Sequence, residues 1–140
     1  MAVRIRLRLR RGERSLEVVA LINSGYEAPT PQLLIPIPLA ERLGLHPPEG
    51  AVRVSLQTAG GPLIAWCYPR ELMVKAIAGD AESKEVLTDI IVSPLAEEPL
   101  ISDQLADELE IAVEAFGRGL WRFRWEPKES VRPSEMPERL

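Results

Sequence analysis

Cysteine, histidine and asparagine each occur once among the 140 residues, as Cys67, His46 and Asn23. A lone cysteine excludes an internal disulfide and fits a reducing compartment such as the cytoplasm. One histidine and one cysteine are too few for a zinc site of the usual ligand set within one chain. A Ser-His or Cys-His catalytic pair would have to use His46, which precedes Pro47 and Pro48 in an expected loop, so that chemistry is disfavoured. No apolar run approaches the roughly 20 residues of a membrane helix, so no membrane partner is expected. The first residues are alternating arginines rather than the apolar core of a signal peptide. There is no basic excess either: the net charge of −4 argues against a general nucleic-acid binder. Nothing in the sequence calls for a cofactor.

What is present is ordinary for a globular chain, with 46% hydrophobic and 27% charged residues, enough for one domain with a core. Fourteen arginines stand against three lysines, and glutamine is nearly as scarce as asparagine. That balance is thermophile-like and makes the single asparagine conspicuous.

Val3, Ile5, Leu7 and Leu9 alternate with Arg4, Arg6, Arg8 and Arg10, which predicts a half-buried strand. Gly12 and Glu13 turn the chain into a second strand, Ser15 to Ile22, which runs into Asn23-Ser24-Gly25. A loop with Pro29 and Pro31 follows, then a short apolar strand from Leu33 to Ile37. Pro38 opens a short helix, Leu39 to Leu43, closed by Gly44. Strands Val52 to Gln57 and Leu63 to Tyr68 flank Thr58-Ala59-Gly60-Gly61, a hairpin tip. Leu72 to Ala78 and Val86 to Val92 make another hairpin around Gly79-Asp80. Ser102 is a good N-cap for a helix from there to Ile111, with Asp103 in its first turn and Leu105 and Leu109 facing the core. Ile111 to Val113 and Leu120 to Trp125 are short strands, with Trp121, Phe123 and Trp125 on one face. The expected domain covers residues 1–125. Residues 126–140, with Pro127, Pro133 and Pro137, read as a flexible polar tail. The fold class is mainly β, with one or two short helices.

This order resembles the retropepsin-like aspartic proteases, half-size relatives of pepsin whose apolar strand ends in Asp-[Ser/Thr]-Gly. The matching residues are Ala20-Leu21-Ile22-Asn23-Ser24-Gly25, Leu33-Leu34-Ile35-Pro36, the Gly60-Gly61 hairpin, Asp89-Ile90-Ile91-Val92 and Leu100-Ile101-Ser102 before the second helix. Leu39-Ala40-Glu41-Arg42-Leu43-Gly44-Leu45 also looks like a helix of the cellular members. The sequence departs twice: position 23 is Asn instead of Asp, and Ser102 stands where the second motif has Gly. Asn-Ser-Gly followed by an aromatic and Glu looks like an archaeal group that carries Asn at that position.

The resemblance implies a closed retropepsin-like β-barrel and a homodimer, because a half-size chain brings only one motif to a two-fold axis. It implies a peptide or protein substrate. It assigns Asn23, Ser24 and Gly25 to the catalytic position, with Ser24 bonding across the dimer and Gly25 letting backbone approach a ligand. It gives Glu27 a contact to substrate main chain and makes Thr58, Ala59, Gly60 and Gly61 the tip of a flap. In such enzymes two carboxylates share a proton, one activating water while the other polarises the scissile carbonyl. An Asn amide can hydrogen-bond that water but cannot take its proton. Hydrolysis by the chain as written is therefore doubtful, and peptide binding is the favoured expectation.

Alternatives stay open. The chain would be an active endopeptidase if Asn23 were an inactivating replacement of Asp, or if Asn23 deamidated. Asn23-Ser24-Gly25 would otherwise be a plain turn, Glu27 a solvated loop carboxylate, and Asp103 a first-turn helix charge, which is its simplest reading, or instead a residue that approaches the motif loop and supplies a carboxylate. The arginine strand would bind phosphate in a nucleic-acid reading, or lie solvated with Glu partners across the hairpin, which is the favoured reading given the acidic net charge. The aromatic face would be core or dimer contact.

Overall fold

A computed structural model describes residues 2–23, 25–46, 48–58 and 60–138, without the side chain of Thr58. It is mainly β, with two short helices. Strand β1 (Arg4–Arg11) pairs antiparallel with β2 (Arg14–Ile22), Arg8 opposite Glu17. Its alternation is realised in full: Val3, Ile5, Leu7 and Leu9 have no exposed surface, while Arg4, Arg6, Arg8 and Arg10 are half-buried on the other face. β3 (Gln32–Pro36) leads directly into α1 (Ile37–Arg42), where Pro38 occupies the first turn and its missing N–H costs no helical bond.

β4 (Val52–Thr58) and β5 (Gly61–Ala78) form the long hairpin. Two separate strands were expected where β5 runs unbroken. Pro69 has no N–H to give the ladder, and the register against β7 (Val86–Ser93) shifts between Tyr68 and Leu72, with Arg70 at φ 48°. The break is thus a bulge that bends one strand instead of ending it. The distal arm of β5 pairs with β4, and its proximal half pairs with β1. The Gly79-Asp80 turn is tightened by β6 (Ala81–Glu82).

β8 (Leu100–Ile101) lies between β2, to which it is parallel, and β3, to which it is antiparallel. The strand order is β1-β2-β8-β3-β7-β5-β4, and β5 pairs back with β1. The main core lies on the side of Ile5, Leu7, Leu33, Ile35, Leu72, Ile90 and Ile101, all buried. Helix α2 (Asp103–Glu108) is shorter than expected and places Leu105 and Leu109 in that core.

A second sheet comprises β9 (Ile111–Ala115), β10 (Leu120–Phe123) and β11 (Arg132–Pro133). Trp121 and Phe123 are buried core residues meeting edge to face, and the half-exposed Trp125 stacks on Phe123 with ring centroids 4.3 Å apart. The segment expected to be a flexible tail is docked along residues 132–138. Arg132 bridges Glu126 and Asp80 and lies over the Phe123 ring. Ser134 Oγ accepts the Arg4 N–H at 2.8 Å, the Glu135 N–H donates to Arg4 O, and Glu138 Oε1 accepts the Val19 N–H at 2.7 Å. Polar side chains hold this segment, and they satisfy backbone groups of β1 and β2.

Candidate functional site

β2 delivers the chain to Asn23, where the ladder continues for one more bond: the Asn23 N–H donates to Ile101 O at 3.3 Å. The chain then folds on itself. Asn23 Oδ1 accepts the Gly25 N–H at 3.1 Å, and the Tyr26 N–H donates to Asn23 O at 3.0 Å. This is the side-chain-capped turn that Asn and Asp favour. The amide oxygen of Asn23 is therefore already engaged with backbone. Gly25 is exposed, and a Cβ added there would approach only Asn23 Oδ1, at 3.4 Å. Ser24, expected to bond across the dimer, lies outside the described residues. Glu27 is exposed, two residues beyond Gly25.

Helix α2 braces this loop from below. Ser102, fully buried, accepts the Gln32 N–H at 3.0 Å and the Leu105 N–H at 3.2 Å through the same hydroxyl. The Asp103 N–H donates to Tyr26 O at 2.9 Å, and Asp103 Oδ1 accepts the Ala28 N–H at 3.0 Å. Asp103 is thus both a first-turn helix charge and a clamp on the motif loop. Ser102, at the position where the second motif would carry Gly, ties β3 to the helix.

The β4–β5 hairpin supplies the other wall. Thr58 pairs with Gly61, whose φ of 109° is a conformation that favours glycine. Gly61 already belongs to β5, and the expected hairpin tip is carried by Gly60 before it. Ala59 and the Thr58 side chain lie outside the described residues. On one face of the hairpin, Val54 and Leu56 pack against a second apolar cluster of Leu34, Ala65, Cys67 and Ile91. Tyr26 and Leu100 pack against the same cluster. The hairpin and the motif loop therefore share one apolar floor, separate from the main core. Burial, with smaller contributions from charge on Cys67 and Asp89, pushes the Tyr26 phenol far above its ordinary value, and its hydroxyl donates to Gln32 Oε1 at 2.9 Å.

Other candidates behave differently. Burial raises the Cys67 thiol, the opposite of what activates a nucleophile. His46 Nδ1 is buried with no hydrogen-bond partner among the described residues. Among those residues no cluster of His, Cys, Asp or Glu could hold a metal ion, and no helix is long and apolar enough to cross a membrane. Each strand arginine faces a glutamate: Arg4 with Glu98, Arg6 with Glu135, Arg8 with Glu17 and Arg10 with Glu85, at 2.8 to 3.2 Å. Only the Arg8 pair crosses the β1–β2 hairpin. Open depressions of about 510 and 350 Å³ flank Arg6 beside Asp80 and Glu135, and neither is lined by the motif loop.

The sequence reading missed the polar groups around Asp89. Its Oδ2 accepts the Thr30 hydroxyl at 2.6 Å and its Oδ1 accepts the Arg70 N–H at 2.8 Å. The available signal was a carboxylate within the apolar run Val86 to Val92. No protein-family model matches the chain, and no curated protein matches it.

Proposed function

We propose that the chain forms half of a retropepsin-like, two-fold peptide-binding site, with the Asn23 loop at the axis and the β4–β5 hairpin as the flap. The observation that carries this reading is the apolar floor shared by Val54 and Leu56 of the hairpin, Tyr26 of the motif loop and Leu100 of β8. A peptide laid there would find apolar surface for its side chains and hairpin backbone for its main chain. The insertion of β8 beside the end of β2 also supports a closed retropepsin-like barrel, since it brings Leu100-Ile101-Ser102 against the Asn-Ser-Gly loop. Gly25, Glu27 and the hairpin tip at Gly60 and Gly61 would face the peptide, and Ser24 would bond to the second copy.

Chemically, the site would bind and position a peptide. Neither copy brings a carboxylate at position 23, so the general-base step has no group to perform it. An aspartic endopeptidase silenced by Asn23 is the same site with one atom changed. The nucleic-acid reading is weakened by the glutamate opposite each strand arginine. Sedimentation at micromolar concentration tests the assembly. A dimer is expected, and a clean monomer across that range would overturn the two-fold site.

A further inference from the structure

We propose that Asp89 is a positioning residue that locks the base of the β4–β5 hairpin to the Asn23 loop, so that the two walls of the floor are set by one carboxylate. Asp89 sits in β7 opposite Gln32 of β3. Its own N–H donates to Pro31 O at 3.0 Å, which fixes its place on the sheet. One carboxylate oxygen accepts the Arg70 N–H at 2.8 Å and the other accepts the Thr30 hydroxyl at 2.6 Å.

Each branch leads to one wall. Arg70 is a non-glycine residue at φ 48°, within the bulge between Tyr68 and Leu72. Such a conformation persists only where the surroundings hold it, and the Asp89 bond to its N–H does so. A bulge re-aims the strand beyond it, here the arm that carries Gly61 to Tyr68. On the other branch, Thr30 Oγ1 accepts Gln32 Nε2 at 3.3 Å, and Gln32 Oε1 accepts the Tyr26 hydroxyl at 2.9 Å. Tyr26 follows the motif directly. A continuous hydrogen-bonded path therefore runs from the hinge of the hairpin to the motif loop, with Asp89 at its branch point. Its consequence for peptide binding rests on the proposed function; the mechanical link does not.

Hydrogen exchange on the free protein tests the link, with no ligand present. In Asp89→Ala, amides of residues 52–67 and 26–28 should exchange at least tenfold faster, while those of residues 5–20 keep their native rates. In Thr30→Val, which leaves the Arg70 bond intact, only residues 26–28 should quicken. Native rates in the hairpin of Asp89→Ala, or an equal acceleration in β1 and β2, would overturn the proposal. If Asp89→Ala does not fold, native rates at residues 26–28 in Thr30→Val would do so. Failure of peptide binding with this exchange pattern intact would count against the proposed function alone.

Discussion

The Ser102 hydroxyl accepts the backbone N–H of Gln32 at 3.0 Å, seventy residues away in sequence, while capping its own helix at Leu105. Both donors lose their partner if the hydroxyl is removed, in a place with no exposed surface at Ser102. Ser102→Ala and Ser102→Gly should each destabilise the fold by about 1–3 kcal/mol. Urea unfolding measures this. A change within about 0.5 kcal/mol, the range of an unremarkable surface substitution, would mean that Ser102 is a neutral replacement of the motif glycine.

Arg132 anchors the C-terminal segment between Glu126, Asp80 and the Phe123 ring. Its side chain and that of Glu126 are mostly buried, at 17% and 14% exposure, whereas Asp80 is open to solvent. The Glu126 pair therefore carries most of the effect, and Arg132→Met should lower stability by about 1–3 kcal/mol. A flexible tail would make the same substitution silent in thermal unfolding.

The same pair sets a pH dependence. Hydrogen bonding to Arg132 holds the Glu126 carboxyl below its ordinary value of 4.5. A carboxyl depressed in the folded state stabilises fully above its unfolded value and loses that contribution as pH falls through the folded one. The urea midpoint should therefore fall as pH drops below about 4.5, and Glu126→Gln should flatten that part of the profile. An unchanged slope in Glu126→Gln would remove Glu126 from the account.

The strand arginines should bind nucleic acid poorly, because each is paired and the chain carries a net charge of −4. Fluorescence anisotropy with a duplex oligonucleotide should show little binding at about 0.15 M salt, the physiological ionic strength. Tight binding that weakens steeply as salt rises would restore the phosphate reading. Arg8→Ala should change stability by less than about 1 kcal/mol, since the Arg8–Glu17 pair is exposed.

Much of the fold was legible because its signals are local. The Val3 to Leu9 alternation, the Ser102 cap and the Gly60-Gly61 hairpin each need only a few neighbouring residues to be read. The continuous β5 was not legible, because Pro69 signals a break and only pairing with β7 on both sides shows a bulge. The docked segment around Arg132 was not legible either, since its polar residues find their partners at Arg4, Val19 and Asp80, far off in sequence. At the site, sequence marked the Asn23 turn and the glycine-bearing hairpin tip, and read Asp103 first as a helix charge rather than as a clamp on the loop. It did not mark Asp89, whose partners Thr30 and Arg70 lie on two other strands or their loops.

The most direct measurement is peptide-library cleavage by the native chain beside Asn23→Asp, at acid and neutral pH, with and without pepstatin. The account predicts that Asn23→Asp cuts, that pepstatin stops it, and that the native chain does not cut. A folded, dimeric Asn23→Asp that cuts nothing would contradict the assignment of this loop as an aspartic-protease site.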